Sequence, residues 1–348
     1  MNKCLAKNYA AMAVCLGLAL SAQNTFAATV LSYSPWLPPA HALNDAVRPW
    51  MKSVEEVTEG RVKVEMRAAS VGAPREQFDV VRDGLVDLSV VSLGYSPGRF
   101  PLQSMGELPF LSEHMTIAAP AFDRLYRQQF EQFDSFPGTH VLSIYTTLPA
   151  HVFTNKRLIK SVGDFKGLKL RSSNPTSADM LDSLGAVPVQ KSASEFYELI
   201  SSGIIDGALS EPQTVVNFNV ENYLKYVTVV PGGLGQSVMA LVINERKWNT
   251  ISEEDRKAIM TVSGEAFASA AAHAFTDFNA VAIEKMEQVG VTKEVMNDEL
   301  TNTIKAQLKG IDESWFAQAK KAGLSDPEAV LRAFREELRT AEQPTKDE

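Results

Sequence analysis

Along most of this chain, short apolar runs rich in β-branched residues alternate with longer stretches whose apolar positions recur every three or four residues. Val30-Leu31-Ser32-Tyr33 reads as a strand, 42–57 as a helix, Val62-Lys63-Val64-Glu65-Met66 as a strand, 75–82 as a helix and Leu88-Ser89-Val90-Val91 as a third strand. This βαβαβ order predicts a parallel sheet flanked by helices. The order recurs after residue 150, with strands expected at 168–170, 187–190 and 205–209.

The two halves also share a local pattern. Glu76 precedes Gly84 by eight residues and Asp87 follows it by three; Glu195, Gly203 and Asp206 repeat that spacing. A helix that ends on a glycine C-cap, followed by two apolar residues entering a buried strand, has this form. Any helix-to-strand connection can use such a glycine, but together with the repeated βαβ order it predicts two similar lobes.

Thr228 to Leu234, with Pro231, Gly232 and Gly233, reads as a crossover between the lobes, leading into a strand at Val238–Asn244. Ser252-Glu253-Glu254-Asp255 then opens a helix with a capping box and acids in its first turn. The pattern continues to Val289, with Gly290 as its stop, which predicts a helix about 55 Å long at about 1.5 Å per residue, enough to brace both lobes. The expected division is a first lobe at 28–149, rejoined by about 235–275, and a second at 150–234 with about 276–340. Residues 341–348, polar and containing Pro344, are expected to be disordered.

The N-terminus changes the setting. Lys3 and Lys7 precede an apolar stretch from Ala10 to Ala22 and a small-residue exit at Thr25-Phe26-Ala27, so 1–27 reads as a secretory signal peptide. The apolar run is shorter than the roughly 20 residues of a membrane span. Cys15 follows Val14 inside the apolar run, which argues against lipidation. Both cysteines, Cys4 and Cys15, leave with the signal, so stability is expected from burial and not from disulfides. Loss of Lys3 and Lys7 takes the net charge from −8 to −10. An acidic chain without a basic block does not suit nucleic acid or anionic lipid.

Signs of catalysis are absent from the sequence. None of the five histidines, His41, His114, His140, His151 and His273, falls in HExxH or another metal-ligand spacing. There is no Walker loop, GxSxG elbow or GxGxxG turn. No enzyme, metal or cofactor is expected, although an activated Ser or Thr leaves no signature of its own. The feature with chemical content is Arg171 in Gly167-Leu168-Lys169-Leu170-Arg171-Ser172-Ser173-Asn174-Pro175. It stands at the C-terminal end of a predicted strand, beyond which ligands of open α/β sheets bind. Its guanidinium can grip a carboxylate with two parallel hydrogen bonds. An arginine that is solvated, or paired with an acid of its own lobe, fits the same pattern.

At these residues the chain resembles the substrate-binding subunit, the DctP family, of the tripartite ATP-independent periplasmic (TRAP) transporters. The resemblance runs through Thr154-Asn155-Lys156, Asp164 to Arg171, Leu184 to Val189, Glu195-Phe196-Tyr197 and Gly203 to Gly207. Thr58 to Val64 and Asn244 to Trp248 fit as well. It implies an α/β, two-lobed periplasmic binding protein fold with a long helix spanning both lobes. It also implies a monomeric receptor without cofactor, closing on a small organic acid whose carboxylate is held by Arg171. The partners implied are one small and one large integral membrane subunit driven by an ion gradient, with no nucleic acid.

The same resemblance suggests where else the ligand is touched. Asn174 matches a contacting asparagine, and a further one falls near Glu211, where a bare carboxylate would repel an acid unless it pairs elsewhere or meets a cation. Sialic-acid-binding members carry a second arginine at the position of His151, which can donate a hydrogen bond and titrates near neutral pH. First-lobe contacts fall near Ser34, Ser92 and Pro74, and a wall phenylalanine of that group corresponds to about Ala193. With fewer polar partners and more room, the ligand is expected to be an aromatic or 2-oxo monocarboxylate, with Trp36 and Tyr95 placed to stack on a ring. The alternatives are a C4-dicarboxylate or sugar-acid receptor, a receptor of an ATP-driven importer, one that feeds a sensor kinase, and a secreted enzyme.

Overall fold

The computed structural model of the protein describes residues 28–343. The predicted signal peptide and 344–348 lie outside the described residues. The first lobe begins with β1 (Thr29–Tyr33), α1 (Asn44–Val57), β2 (Val62–Met66), α2 (Gln77–Arg82), β3 (Leu88–Ser92), α3 (Met115–Leu125) and β4 (Thr139–Thr146). The second lobe follows with β5 (His151–Thr154), β6 (Lys169–Ser172), α4 (Pro175–Ser183), β7 (Val187–Gln190), α5 (Phe196–Ser201), β8 (Gly207–Ser210), α6 (Pro212–Asn217) and β9 (Tyr226–Val229). The chain then forms β10 (Val238–Asn244), α7 (Glu245–Trp248), α8 (Glu253–Thr261), α9 (Gly264–Gln288), β11 (Thr292–Val295), α10 (Asp298–Gln307), α11 (Lys309–Lys321) and α12 (Pro327–Glu342).

Each lobe is built on one sheet. The first has the order β2-β1-β3-β10-β4 and the second β11-β9-β5-β8-β6-β7. The sheets are mixed, not purely parallel as the βαβαβ pattern predicts. β1 runs parallel to β2 and β3, but β10 returns from the other lobe antiparallel to both β3 and β4. In the second sheet β5 is antiparallel to β8 and β9. A strand arriving from the neighbouring lobe is not bound by the crossover rule that makes local βαβ neighbours parallel. All seven residues of β10 are buried, which is why it reads as an unbroken apolar run.

The repeated spacing has a physical basis. In each half a short 3₁₀ turn, Pro74–Glu76 or Ala193–Glu195, leads into the helix, and its glutamate reaches back to cap the start. Glu76 Oε2 accepts from the Ala73 N–H at 2.8 Å and Glu195 Oε2 from the Ser192 N–H at 3.0 Å. Gly84 and Gly203 end these helices at φ +79° and +74°, a conformation strained for any residue with a β-carbon. Of the two apolar residues that follow, only the second enters the core. Leu85 and Ile204 are 62% and 51% exposed, whereas Val86 and Ile205 are buried.

The long predicted helix is two helices. Ser252 caps α8 as its sequence suggests, its Oγ accepting from the Asp255 N–H at 3.0 Å. The chain then breaks at Val262-Ser263, where Ser263 is extended and Gly264 takes φ +51°. The Ser263 hydroxyl accepts from Trp50 Nε1 at 3.1 Å and donates to the Ile259 carbonyl at 2.8 Å, which anchors the break. The 25 residues of α9 span about 37 Å. Phe267, Ala268, Ala271, Ala272 and Phe275 join the first lobe's core, while Ala282 and Met286 join the second's. Burial of each phenylalanine contributes about 1.5–3 kcal/mol to holding the helix there.

The C-terminal helices depart from the expected division. α12 lies on α3 of the first lobe, with the Phe334 ring edge-on to Phe122 at 5.9 Å, and Trp315 Nε1 of α11 donates to the Pro101 carbonyl at 3.0 Å. The amphipathic face of α12, carrying Leu331, Phe334 and Leu338, finds its apolar partner across the molecule. Ala341 and Glu342, placed in the tail by composition, are the last residues of α12. Glu342 Oε1 accepts a hydrogen bond from Ser112 Oγ at 2.5 Å.

Candidate functional site

Between the lobes lies a cavity of about 630 Å³, mouth included. Its walls are the C-terminal ends of β3, β6 and β8, the turns that follow them, the crossover strands and the middle of α9. Trp36, Leu37, His41, Ser92 and Tyr95 come from the first lobe. Arg171, Ser173, Ala193, Glu211, Thr214 and Phe218 come from the second. Thr147, Gln236 and Met239 belong to the crossing segments, and Phe275 to α9.

Arg171 is the cationic side chain of this wall and is only 2% exposed. Its Nε donates to the Lys191 carbonyl at 3.0 Å and its guanidinium stands 5.5 Å from the centre of the Phe196 ring. Among the described residues no carboxylate lies within 4.0 Å of it, so the alternative of an arginine paired with an acid of its own lobe does not hold. Desolvating a guanidinium without a counter-ion is costly, and an anion in the cavity would remove that cost.

Glu211 lies in the same wall, 8% exposed. Its Oε1 accepts from Thr147 Oγ1 at 3.1 Å. Burial pushes its pKa up, against the opposing effects of the Thr214 hydroxyl and the charge of Arg171. Tyr95 is held across the lobe boundary, its hydroxyl oxygen accepting from the Ala193 N–H at 2.9 Å. Burial raises its pKa and Arg171 works against the rise. Trp36 donates from Nε1 to the Val90 carbonyl at 2.6 Å and meets Tyr95 edge-on at 6.0 Å. This hydrogen bond and ring contact fix the Trp36 plane as part of an aromatic wall.

Of the residues singled out in the sequence, Arg171, Trp36, Ser92, Tyr95 and Glu211 are brought together in this cavity, with Ala193 beside them. Ser34, Asn174 and His151 are placed elsewhere. Ser34 is buried under β1, where its Oγ accepts from the Val71 N–H at 2.9 Å. Asn174 caps α4, its Oδ1 accepting from the Ser177 N–H at 2.7 Å while Nδ2 donates to the Gln236 carbonyl at 3.2 Å. His151 opens β5, and its Nδ1 accepts from the Val230 N–H at 3.3 Å. It borders a separate apolar pocket with Val229, Ile283 and Met286, and burial holds its pKa at about 4.

Sequence reasoning missed several wall residues. His41 gave no metal spacing, yet its neutral ring lies edge-on to Phe218 and Phe275 at 6.1 and 5.7 Å. Burial takes its pKa down to about 4. Gln236 Nε2 is buried and, among the described residues, has no hydrogen-bond partner, which leaves a donor free beside the cavity. Thr147 follows the end of β4, and Gln213 and Thr214 lie in the short α6, where no periodic pattern marks them. Among the described residues no group of three or more His, Cys, Asp or Glu could hold a metal ion, and no helix is long and apolar enough to cross a membrane.

Two lobes on separate sheets, joined by crossing strands and one shared helix around a cavity with a buried cation, define a solute-binding receptor. The chain belongs to the bacterial extracellular solute-binding protein family 7, DctP, whose family model matches residues 33–318. It is a TRAP-type solute-binding protein. It is similar to a TRAP periplasmic solute-binding protein of Bordetella bronchiseptica solved with bound (R)-mandelate and (S)-mandelate. They are 33% identical, with 90% of this chain and 99% of that one covered and a TM-score of 0.86. It is also similar to a marine metagenome TRAP solute-binding protein described as specific for aromatic acid ligands and solved with 3-hydroxybenzoate. Here identity is 27%, coverage 91% and 99%, and the TM-score 0.84. Among curated relatives, the outer membrane transporter protein TsaT of Comamonas testosteroni is 28% identical over 92% of this chain and 94% of its own.

Proposed function

We propose that this chain, exported to the periplasm by its N-terminal signal, captures an aromatic monocarboxylate between its lobes and delivers it unchanged to the small and large membrane subunits of a TRAP transporter. The observation that carries this reading is the buried guanidinium of Arg171, without a counter-ion, in a cavity whose wall includes the rings of Trp36, Phe218, Phe275 and the neutral His41. The cation takes the ligand carboxylate through two parallel hydrogen bonds, and the rings take an aryl group. Solved relatives that hold mandelate and 3-hydroxybenzoate support it.

A dicarboxylate is a poorer fit, because Arg171 is the one Lys or Arg side chain lining the cavity among the described residues, and a second carboxylate would meet no cation of its own. The receptor works as a monomer without cofactor, and closure follows because the ligand touches both lobes only when they meet. A thermal-shift screen over aromatic monocarboxylates, 2-oxo acids, C4-dicarboxylates and sugar acids tests the reading. Aromatic monocarboxylates are expected to raise the melting temperature in proportion to the logarithm of their concentration over Kd. A response confined to dicarboxylates or sugar acids overturns it.

A further inference from the structure

A carboxyl group in the binding wall of an acid receptor calls for a reason. Glu211 is nearly buried and accepts a hydrogen bond from Thr147, and the Thr214 hydroxyl also serves it. Among the described residues no Lys, Arg or His nitrogen lies within 4.0 Å of it. Arg171 is near enough for the two charges to act on each other, yet the pair do not form a salt bridge. The Tyr95 hydroxyl feels both charges as well. The cavity therefore holds a cationic fork and a carboxyl group within each other's field, and the rings of His41, Phe218 and Phe275 cluster in the same wall.

A ligand carrying only a carboxylate would satisfy Arg171 and turn its oxygens toward those of Glu211. An ionised carboxylate has about four lone-pair positions, of which Thr147, Thr214 and the Glu211 backbone N–H occupy three and leave one open. A ligand that suits both groups offers an acceptor pair to Arg171 and, on the adjacent atom, a donor to Glu211. We infer that Glu211 determines specificity by accepting a hydrogen bond from a hydroxyl on the carbon next to the ligand carboxylate, so that the ligand class is the aryl-bearing 2-hydroxy acids. The inference rests on the reading of the cavity as an aromatic monocarboxylate site. A hydroxyl suits Glu211 in either protonation state, donating to the carboxylate or pairing with the acid. A meta or para ring hydroxyl stands farther from the carboxylate than a hydroxyl on the adjacent carbon. A 2-ammonium would set a second full cation beside Arg171.

The test is calorimetry on the full chain with (R)- and (S)-mandelate, phenylacetate and phenylglycine, which differ at one substituent. The better mandelate enantiomer is expected to bind about tenfold to a hundredfold more tightly than phenylacetate, the worth of one hydrogen bond to a charged or buried group. Glu211→Ala brings mandelate and phenylacetate to within about threefold of each other, Thr147→Val narrows the gap, and Glu211→Gln, which still accepts, keeps part of it. If Glu211→Ala loses its folding transition, Glu211→Met, of similar length and without an acceptor, replaces it. Equal binding of mandelate and phenylacetate by the unaltered protein overturns this inference but leaves the aromatic monocarboxylate reading standing. So does a gap that Glu211→Ala leaves unchanged, or tighter binding of phenylglycine. If none of the aromatic acids binds, the underlying reading falls and this inference with it.

Discussion

Gly94 of the first lobe and Asn174 of the second meet so closely that a β-carbon on Gly94 would stand 2.3 Å from that of Asn174 and 2.9 Å from Glu107 Oε1. Around this contact the lobes are joined by Thr176 Oγ1 donating to Glu107 at 3.2 Å, Gln190 Nε2 to the Gly94 carbonyl at 3.4 Å, and Arg75 Nη2 to the Gln190 carbonyl at 3.3 Å. The closed arrangement depends on the absence of a side chain at one position.

Gly94→Ala is therefore expected to hold the lobes apart. Overpacking costs about 1–3 kcal/mol, which weakens ligand binding about tenfold or more. Calorimetry gives the affinity, and small-angle scattering of the ligand-saturated protein should show a larger radius of gyration. Unchanged affinity and radius would mean that closure tolerates the methyl group.

Arg171→Ala is expected to cost about 2–5 kcal/mol of ligand binding, as loss of one half of a buried charge pair does. Arg171→Lys recovers only part, because an ammonium lacks the planar fork. The ligand that gives the largest thermal shift is the one to titrate. Equal affinity in Arg171→Ala would place the ligand elsewhere.

Glu107 gives a pH dependence. Burial pushes its pKa from 4.5 to about 8, with only the Thr176 hydroxyl opposing the rise. Between those values the folded protein holds a proton that the unfolded chain has released. This contribution to stability is full below pH 4.5 and is lost as the pH rises through 8. His41, His140 and His151 work in the opposite sense. Burial lowers their pKa from 6.5 to about 4, so their contribution is lost as the pH falls through that window. Above pH 6.5 these three histidines are neutral in both states, and Glu107 supplies a falling slope. Scanning calorimetry should show the melting temperature falling from pH 6.5 to 8, and Glu107→Gln should flatten that fall.

Asn174→Ala removes the cap of α4 and is expected to cost about 1 kcal/mol of stability, within the usual range of about 0.5–2. Asn174→Asp keeps the capping oxygen at the positive end of the helix and should recover most of the loss. Urea midpoints of the ligand-free protein measure both. Equal midpoints for Ala and Asn would show that the Ser177 N–H finds another partner.

The lobes, the glycine-ended helices and the fully buried β10 were legible because each rests on local chemistry. A glycine is needed wherever φ turns positive, a glutamate can cap a turn three residues long, and an unbroken apolar run marks a strand covered on both faces. The break at Val262-Ser263-Gly264 escaped because its apolar residues keep the helical period. What ends the helix is a serine hydroxyl held by Trp50, more than two hundred residues away.

The site divides along the same line. Residue type and strand register, which are local properties, brought out a guanidinium at a strand end, and the family resemblance pointed to the aromatic residues Trp36 and Tyr95. Only the folded chain decided that Arg171 has no counter-ion, that Glu211 stands within its field, that His151 and Ser34 face other partners and that Asn174 caps the start of a helix. Those outcomes depend on which segments, far apart in the chain, exclude water together, and burial of that kind arises only when the lobes pack.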